Sequence, residues 1–366
     1  MNLLIQGGRV IDPASGYDQL GDVAVSHGVV SAIGTVGADF KPDRVLDAAG
    51  CSVMPGLVDL AVRLGEPGHE HEGMLTSELA AAVAGGVTTL ACPPDTDPVL
   101  DEPGLVEMLR YRAEKLHLSR VFPVGALTRG LAGETLTEML ELTDSGCVAF
   151  SQAEVPLANT QVLQRALQYA STFGYTVWLR PQELHLGKGV AASGALATRM
   201  GLSGVPVAAE TIALHTIFDL MHATGARVHL CRLSSAAGVA LVRQAKADGL
   251  KLSCDVSVNS LHLTDHDIGY FDSRARLNPP LRQQRDRDAL RLALSLDEEG
   301  TTPADGRLLV LTLHRRENYG PRLEQVCSAV LELLSLHPDF QVVCPVHPNP
   351  AVGSRMRRML GAHPRI

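Results

Sequence analysis

The strongest constraint on the fold is a regular alternation of short apolar strands with helical stretches that begins near residue 51. Apolar segments recur at residues 87–92, 120–124, 147–150, 176–179, 227–231 and 250–256. Helical patterns lie between them at residues 76–84, 105–115, 159–173 and 208–224. Regular β–α units of this kind give a parallel sheet, and about eight of them close a barrel. Functional residues of such a barrel are expected at the carboxyl ends of its strands.

Composition narrows the possible classes of function. The 366 residues allow one large domain or two ordinary ones, and 45% apolar residues are ample for a core. A net charge of −8 with mixed signs argues against nucleic-acid binding, and no apolar run approaches the roughly 20 residues of a membrane span. The chain is expected to start as a strand and not as a signal peptide. The seven cysteines form no C-x-x-C pair, and several lie inside apolar strands, such as Cys92, Cys231, Cys254 and Cys344. These four predict buried thiols in a reducing cytoplasm.

One motif near the start of the alternating region carries a family resemblance. Residues 55–68 read P-G-L-V-D-L-A-V-R-L-G-E-P-G. This segment resembles the first barrel strand of dihydroorotases in the cyclic amidohydrolase superfamily, where P-G-x-x-D-x-H-x-H precedes L-R-E-P-G. Two alternating histidines of that strand face one side and bind one metal. Ala61 and Arg63 occupy the histidine positions here, and neither side chain can ligate a metal.

The resemblance covers about residues 1–294. The other positions that ligate metal in the family have also lost their ligand residues. They hold Gln152, Arg180, Arg232, Asn259 and Ser260. The family's substrate-binding arginine and asparagine are replaced by Gly65 and Asp95. The resemblance implies zinc, but its ligands are absent, so we predict no metal cofactor. His69 and His71 form an H-x-H pair in a loop, where no fixed geometry is expected.

Three of the altered positions hold arginine. Loss of a dication leaves a polar cavity that lacks positive charge, and fixed guanidinium groups could supply it. We therefore hypothesise that Arg63, Arg180 and Arg232 are structural substitutes for the metal. Their carboxylate partners would be Asp59, Glu183 or Asp255. Neutral drift in an unused site is the alternative.

The last seventy residues resemble a second family. A dihydroorotase would continue to strand eight and a D-H-x-P-H motif whose aspartate is the general base, and neither is found after residue 294. Residues 307–366 instead resemble the C-terminal Rossmann-like domain of non-hydrolysing UDP-N-acetylglucosamine 2-epimerases, through H-R-R-E-N-Y-G at 314–320. The half-site that this resemblance implies consists of His314, Arg315, Arg316, Glu317, Asn318, His347 and Asn349.

These resemblances predict an α/β chain in four parts. A small β-sandwich portion occupies residues 1–50, where short strands alternate with turns such as Gly7-Gly8. An amidohydrolase-type TIM barrel, truncated before strand eight, occupies 51–294. A junction at 295–306 leads to a partial Rossmann-like segment at 307–366, and the whole is a natural fusion or an assembly artefact. The apolar run 308–313 could occupy the eighth strand position.

Three functions follow from the resemblances. The first is a catalytically inactive subunit, in a homo- or hetero-oligomer, that supports aspartate transcarbamoylase assembly in pyrimidine biosynthesis. The second is sugar-nucleotide binding or epimerisation through the C-terminal half-site, although epimerisation needs carboxylates from a domain that the sequence lacks. The third is cyclic amidohydrolase activity, for which a water must be activated near neutral pH without the family's ligands.

Overall fold

The N-terminal residues form a five-stranded sheet. The computed structural model describes residues 1–295, 307–310, 321–336, 340–343 and 358–360. The sheet has the order β3-β2-β1-β4, with β5 paired to β1. Its strands are β1 (Asn2–Asp12), β2 (Tyr17–Ser26), β3 (Val29–Gly34), β4 (Arg44–Asp47) and β5 (Ser52–Val53).

The turn predicted at Gly7-Gly8 is wrong, because β1 runs through both glycines. The pairing of β1 with β2 shifts register between Ile5 and Gly8, which marks a bulge. Gly7 has a φ of 73°, a conformation that glycine adopts without steric cost. The extra residue is therefore absorbed inside a continuous strand.

Seven parallel strands form the second sheet and position the candidate site. Their order is β14-β13-β10-β9-β8-β7-β6, so strands from the beginning and end of the barrel region form its two edges. The strands are β6 (Leu57–Asp59), β7 (Val87–Cys92), β8 (Arg120–Ala126), β9 (Ala149–Ser151), β10 (Thr176–Leu179), β13 (Arg227–Leu233) and β14 (Leu252–Val256). A separate short pair is formed by β11 (Ala191–Ala192) and β12 (Gly204–Val205).

Helices connect the parallel strands. In chain order they are α1 (Leu75–Ala84), α2 (Pro103–Lys115), α3 (Met139–Asp144), α4 (Thr160–Phe173), α5 (Ala195–Met200), α6 (Ala208–Thr224), α7 (Ala236–Ala247), α8 (Val258–His262) and α9 (Gln284–Ser295). The local sequence explains the limits of α4. Asn159 caps its start by accepting from the backbone N–H groups of Gln161 and Val162, and Gly174 ends it with a φ of 74°.

The core lies between the sheet and these helices. Leu90, Phe150 and Val228 from the strands pack with Leu109 and Leu167 from α2 and α4 in one buried cluster. A smaller cluster of Ala91, Val124 and Ala149 packs with Trp178. The α/β class and the parallel sheet agree with the sequence prediction, whereas truncation before an eighth strand stays a prediction.

A buried carboxylate fastens the end of β13 to α6. Glu210 is 3% exposed and accepts four hydrogen bonds from the backbone N–H and hydroxyl groups of Ser234 and Ser235, at 2.5 to 3.1 Å. Arg282 donates from Nε to the Ser234 hydroxyl at 3.1 Å and from Nη1 to the Val205 carbonyl at 2.8 Å. This network fixes the backbone immediately after Arg232.

The C-terminal residues that the structure describes form a β–α–β unit. Strand β15 (Arg307–Val310) precedes α10 (Pro321–Leu336) and pairs in parallel with β16 (Phe340–Val343). The idea that residues 308–313 fill the eighth barrel position is wrong for the described part. Strand β15 pairs with β16 in a separate two-stranded sheet and is not a member of the seven-stranded sheet. The Rossmann-like character of this segment stays a prediction. None of the helices in the described ranges is long and apolar enough to cross a membrane.

Candidate functional site

The carboxyl ends of six barrel strands bring three arginines and three carboxylates together. The six residues are Arg63 beyond β6, Asp95 beyond β7, Glu154 beyond β9, Arg180 beyond β10, Arg232 in β13 and Asp255 in β14. We call these six residues the arginine cluster. Parallel strands place their carboxyl ends at one edge of the sheet, which explains how residues so distant in sequence meet there.

Arg63 links two of the carboxylates. Its Nε and Nη2 donate to Asp95 Oδ2 at 3.0 and 2.7 Å, and Nη2 also donates to Glu154 Oε1 at 3.1 Å. Burial alone would lower the pKa of Arg63, but Asp95 and Glu154 outweigh it, so the pKa is raised. The guanidinium is therefore held in its charged form by both acids.

Glu154 is the centre of the arginine cluster. Arg232 Nη2 donates to Glu154 Oε1, Arg180 Nε lies 3.5 Å from Oε2, and Arg180 Nη2 donates to the Glu154 backbone carbonyl at 2.7 Å. Burial would raise the pKa of Glu154, but Arg232, Arg180 and Arg63 together hold it below its ordinary value. One ionised carboxylate thus joins three guanidinium groups.

The guanidinium groups bind Asp95 and Glu154 and not the three acids that the sequence suggested. Asp255 lies close to Arg232, but its Oδ1 accepts from the Arg232 backbone N–H, at 2.7 Å. Asp59 instead accepts from the Ala61 backbone at 3.1 Å, and Glu183 accepts from the backbones of His185 and Leu186. Both of those carboxylates serve local turns. Sequence reasoning missed Glu154, whose signal was its position two residues after Gln152 at a strand end.

The other altered positions do not join the arginine cluster. Gln152 is buried and its amide exchanges hydrogen bonds with the Thr128 hydroxyl at 2.9 and 3.0 Å, while Nε2 also donates to the Leu131 carbonyl. Ala61 contributes no side-chain donor or acceptor. Asn259 and Ser260 lie in α8. The seven residues of the C-terminal half-site, from His314 to Asn349, lie outside the described residues.

The backbone at Gly65 accommodates glycine and no larger residue. Its φ is 73°, and a Cβ added there would lie 2.2 Å from the Gly73 carbonyl oxygen. The family's arginine therefore cannot be accommodated at this position with the present backbone. Gly65, Arg63, His69, Glu72 and Asp95 line a cavity of about 190 Å³ beside the arginine cluster.

Within the part of the chain that the structure describes, two groups of residues offer possible metal ligands. His229, Cys231 and Asp255 form one group, and His69, His71 and Glu72 form the other, with the ligand atoms of each group within 4.8 Å of one another. By contrast, the family's own positions do not fit a divalent cation, because three of them hold guanidinium groups. The first group has the nitrogen, sulfur and oxygen donors that zinc accepts. The second lies on the loop where the sequence predicted no fixed geometry.

Two of the three possible ligands in the first group, His229 and Asp255, already have hydrogen-bond partners. His229 Nε2 lies 3.0 Å from Asp255 Oδ2, and Nδ1 lies 2.8 Å from the Ser253 hydroxyl. Burial, with a smaller contribution from Asp255, raises the pKa of the Cys231 thiol to about 12. A metal at this group would therefore have to displace a proton from Cys231.

We expect zinc to bind this first group more tightly at pH 8.5 than at pH 6.5. Since the thiol is protonated across this range and only the thiolate ligates, each pH unit should raise the affinity about tenfold. Equilibrium dialysis with zinc analysis would measure this, and Cys231→Ser should weaken zinc binding and remove the part of the pH dependence that comes from the thiol. Zinc uptake that is lost in His71→Ala and kept in Cys231→Ser would assign the ion to the loop group instead.

Comparison with known proteins gives two family matches on different parts of the chain. The family model described as Dihydro-orotase-like matches residues 50–237. The family model described as UDP-N-acetylglucosamine 2-epimerase matches residues 284–366. The second match agrees with the resemblance of the C-terminal residues and begins within α9.

Similar proteins include the Dihydroorotase-like protein of Pseudomonas aeruginosa, which is 46% identical over 295 residues covering 80% of this chain and 70% of the relative. The Dihydroorotase of Geobacter sp. (strain M21) is 40% identical over 305 residues, covering 83% and 71%. Among solved structures, the L-hydantoinase (dihydropyrimidinase) from Arthrobacter aurescens has a TM-score of 0.67 at 23% identity, over 80% of this chain. The chain spans 66% of that structure, which supports an amidohydrolase-type fold.

The prediction of no metal cofactor is wrong in the light of these findings. Relatives at about 40% identity carry the name dihydroorotase, the class for which the resemblance implies zinc. The two groups of possible ligands give a metal a place to bind among the described residues. The sequence prediction considered the family's own positions and the His69–His71 pair, but it did not bring His229, Cys231 and Asp255 together.

Proposed function

This chain belongs to the dihydro-orotase-like family, and from that premise we propose that it is a non-hydrolytic member that supports the assembly of aspartate transcarbamoylase in pyrimidine biosynthesis. The arginine cluster supports the absence of hydrolysis, and the family resemblance supports the assembly role.

The arginine cluster is the observation that supports the loss of hydrolysis. Hydrolysis of a cyclic amide near neutral pH needs an activated water, which a metal ion ordinarily provides. At three family ligand positions the side chains are Arg63, Arg180 and Arg232, all bonded to Glu154. Their positive charges repel a dication, and Glu154 is engaged by all three guanidiniums and is unavailable as a free base.

The substrate positions support the same conclusion. Gly65 replaces the arginine that the resemblance assigns to substrate binding, and its backbone excludes a larger side chain. Asp95 replaces the asparagine and is paired with Arg63 at 2.7 Å. An aspartate has no N–H to donate to a substrate, whereas the asparagine of the family has an amide group.

The assembly role rests on what the altered positions leave intact. The strands and helices around the arginine cluster are complete from β6 to α9. Arg282, the last residue of the sequence N-P-P-L-R at 278–282, is buried in the Glu210 network. A chain that keeps its strands and helices while its ligand positions change also keeps the outer surfaces through which a subunit binds its partner. In some bacteria, inactive chains that resemble dihydroorotases accompany aspartate transcarbamoylase, and we propose this chain for that role.

One experiment tests both claims separately. We expect the full chain to co-elute with the aspartate transcarbamoylase catalytic chain of the same source in size-exclusion chromatography with light scattering. We also expect no hydrolysis of dihydroorotate above the uncatalysed rate, with or without added zinc, while an active dihydroorotase assayed in parallel shows turnover. Separate elution would contradict the assembly role. Turnover that disappears in His229→Ala would establish the third candidate function, amidohydrolase activity, instead.

The match to the epimerase family favours a second candidate function, namely sugar-nucleotide binding by residues 284–366. His314, Arg315 and Arg316 would supply the phosphate contacts, since a guanidinium group binds two phosphate oxygens in a bidentate manner. We expect UDP-N-acetylglucosamine to bind weakly and Arg315→Ala to abolish that binding in isothermal titration. Equal binding by Arg110→Ala as control and by Arg315→Ala would contradict this role.

A further inference from the structure

The arginine cluster contains more hydrogen-bond donors than its carboxylates satisfy. The Arg180 side chain is only 5% exposed, yet its Nε and Nη1 make no hydrogen bond. A guanidinium carries five N–H donors, and buried donors are ordinarily paired. Burial is also the main reason that the pKa of Arg180 falls to about 10, despite the opposing effect of Glu154. The Nε and Nη1 groups of Arg180 are therefore available to donate to a further oxygen acceptor.

Glu154 is the carboxylate most easily exchanged. It lies in the loop between β9 and α4, follows Ala153 with a φ of 50°, and keeps 33% of its side chain exposed. Asp255, in contrast, belongs to β14 and also contacts His229 and the Arg232 backbone. The backbone of Ala153 is in a conformation that non-glycine residues rarely adopt, so the loop holds Glu154 against a local conformational preference.

The charges around the three arginines favour an anionic ligand. The three guanidinium groups contact two carboxylates, Asp95 and Glu154. Asp255 instead accepts from the Arg232 backbone N–H and lies beside His229. An anion that takes the place of Glu154 leaves the number of negative charges at the three arginines unchanged. The cavity of about 190 Å³ shares Arg63 and Asp95 with the arginine cluster and gives an approach from solvent. That volume exceeds the roughly 30 Å³ of one water several-fold.

We propose that Arg63, Arg180 and Arg232 form a binding site for a small carboxylate anion, for which Glu154 is an intramolecular competitor. A free carboxylate would enter from the cavity, take the place of the Glu154 carboxylate and offer oxygen atoms to Nε and Nη1 of Arg180. Planar guanidinium groups favour carboxylates because the two groups can form paired hydrogen bonds. This inference concerns a ligand and is independent of hydrolysis and of assembly.

The test uses Glu154→Gln in the full chain, with formate as the probe. Removal of the Glu154 carboxylate should lower the melting temperature. Added formate should raise the melting temperature again, and the rise should saturate. We expect half-saturation at a formate concentration at least about tenfold lower than in the wild type, where Glu154 occupies the site. Glu134→Gln, a change of an exposed loop carboxylate, is the matched control and should behave as the wild type.

Chloride and phosphate at the same ionic strength distinguish the chemistry of the ligand. Equal stabilisation by chloride, or a larger effect of phosphate than of formate, would overturn the carboxylate assignment. If Glu154→Gln does not fold, the wild type still provides the answer. Addition of the wild-type protein should broaden the ¹³C NMR signal of labelled formate. That broadening should vanish in Arg63→Met, and its persistence there or its absence from the wild type would overturn the proposal.

Discussion

Replacing Glu210 by alanine is expected to lower the free energy of unfolding by about 3–5 kcal/mol, the range found when one partner of a buried charged network is removed. Four donors from Ser234 and Ser235 would lose their acceptor inside the protein. Arg282, 6% exposed, would lose the nearby charge that offsets its burial. Urea denaturation followed by circular dichroism would measure the change.

The matched control for this change is Glu114→Ala. Glu114 pairs with Arg110 on the surface of α2 at 3.3 Å, and its side chain is 68% exposed. Exposed pairs of this kind contribute about 0.5 kcal/mol or less. A loss below about 1 kcal/mol in Glu210→Ala would mean that water replaces the carboxylate, and the network would then not fix the backbone after Arg232.

Restoring an arginine at Gly65 is expected to destabilise the protein by about 2–5 kcal/mol rather than to restore substrate binding. A side chain with a φ of 73° costs about 1–2 kcal/mol. The Cβ would also lie 2.2 Å from the backbone oxygen of Gly73, which must move, and overpacking of this kind costs about 1–3 kcal/mol more. Thermal and urea unfolding of Gly65→Ala and Gly65→Arg would test both contributions.

Gly174→Ala separates conformational strain from steric clash. Gly174 ends α4 with a φ of 74°, nearly the value at Gly65, and an added Cβ would meet no atom within 4 Å. We expect a loss of about 1 kcal/mol there. Equal losses at the two glycines would show that the Gly73 backbone yields without cost, and the argument against a restored arginine would fail.

The elements of the fold could be predicted more completely than the contacts of the site. Helices α1 and α4 begin within one residue of the sequence prediction and end where it placed them, because apolar periodicity and caps such as Asn159 and Gly174 are local signals. The bulge at Gly7 was mistaken for a turn, since glycine permits both and only the pairing with β2 decides between them.

At the site, the sequence indicated the arginines but not what binds them. Arg63, Arg180 and Arg232 were identified because they replace ligands at strand ends. Glu154 lies in a loop whose path depends on the positive φ of Ala153, and no periodic pattern marks such a residue. The metal-ligand group at His229 and Cys231 was missed for a related reason, because it uses side chains beside the family positions.

The arginine cluster has a further consequence for the mouth of the barrel. A bound ion holds strand ends together only in proportion to its free concentration, so a chelator weakens that cross-link by mass action. Arg63, Arg180 and Arg232 are covalent parts of the chain, and their ion pairs with Glu154 join the strands that carry them. Their local concentration is therefore fixed by the polypeptide itself. The connection between β6, β9, β10 and β13 should therefore survive dilution and metal starvation alike.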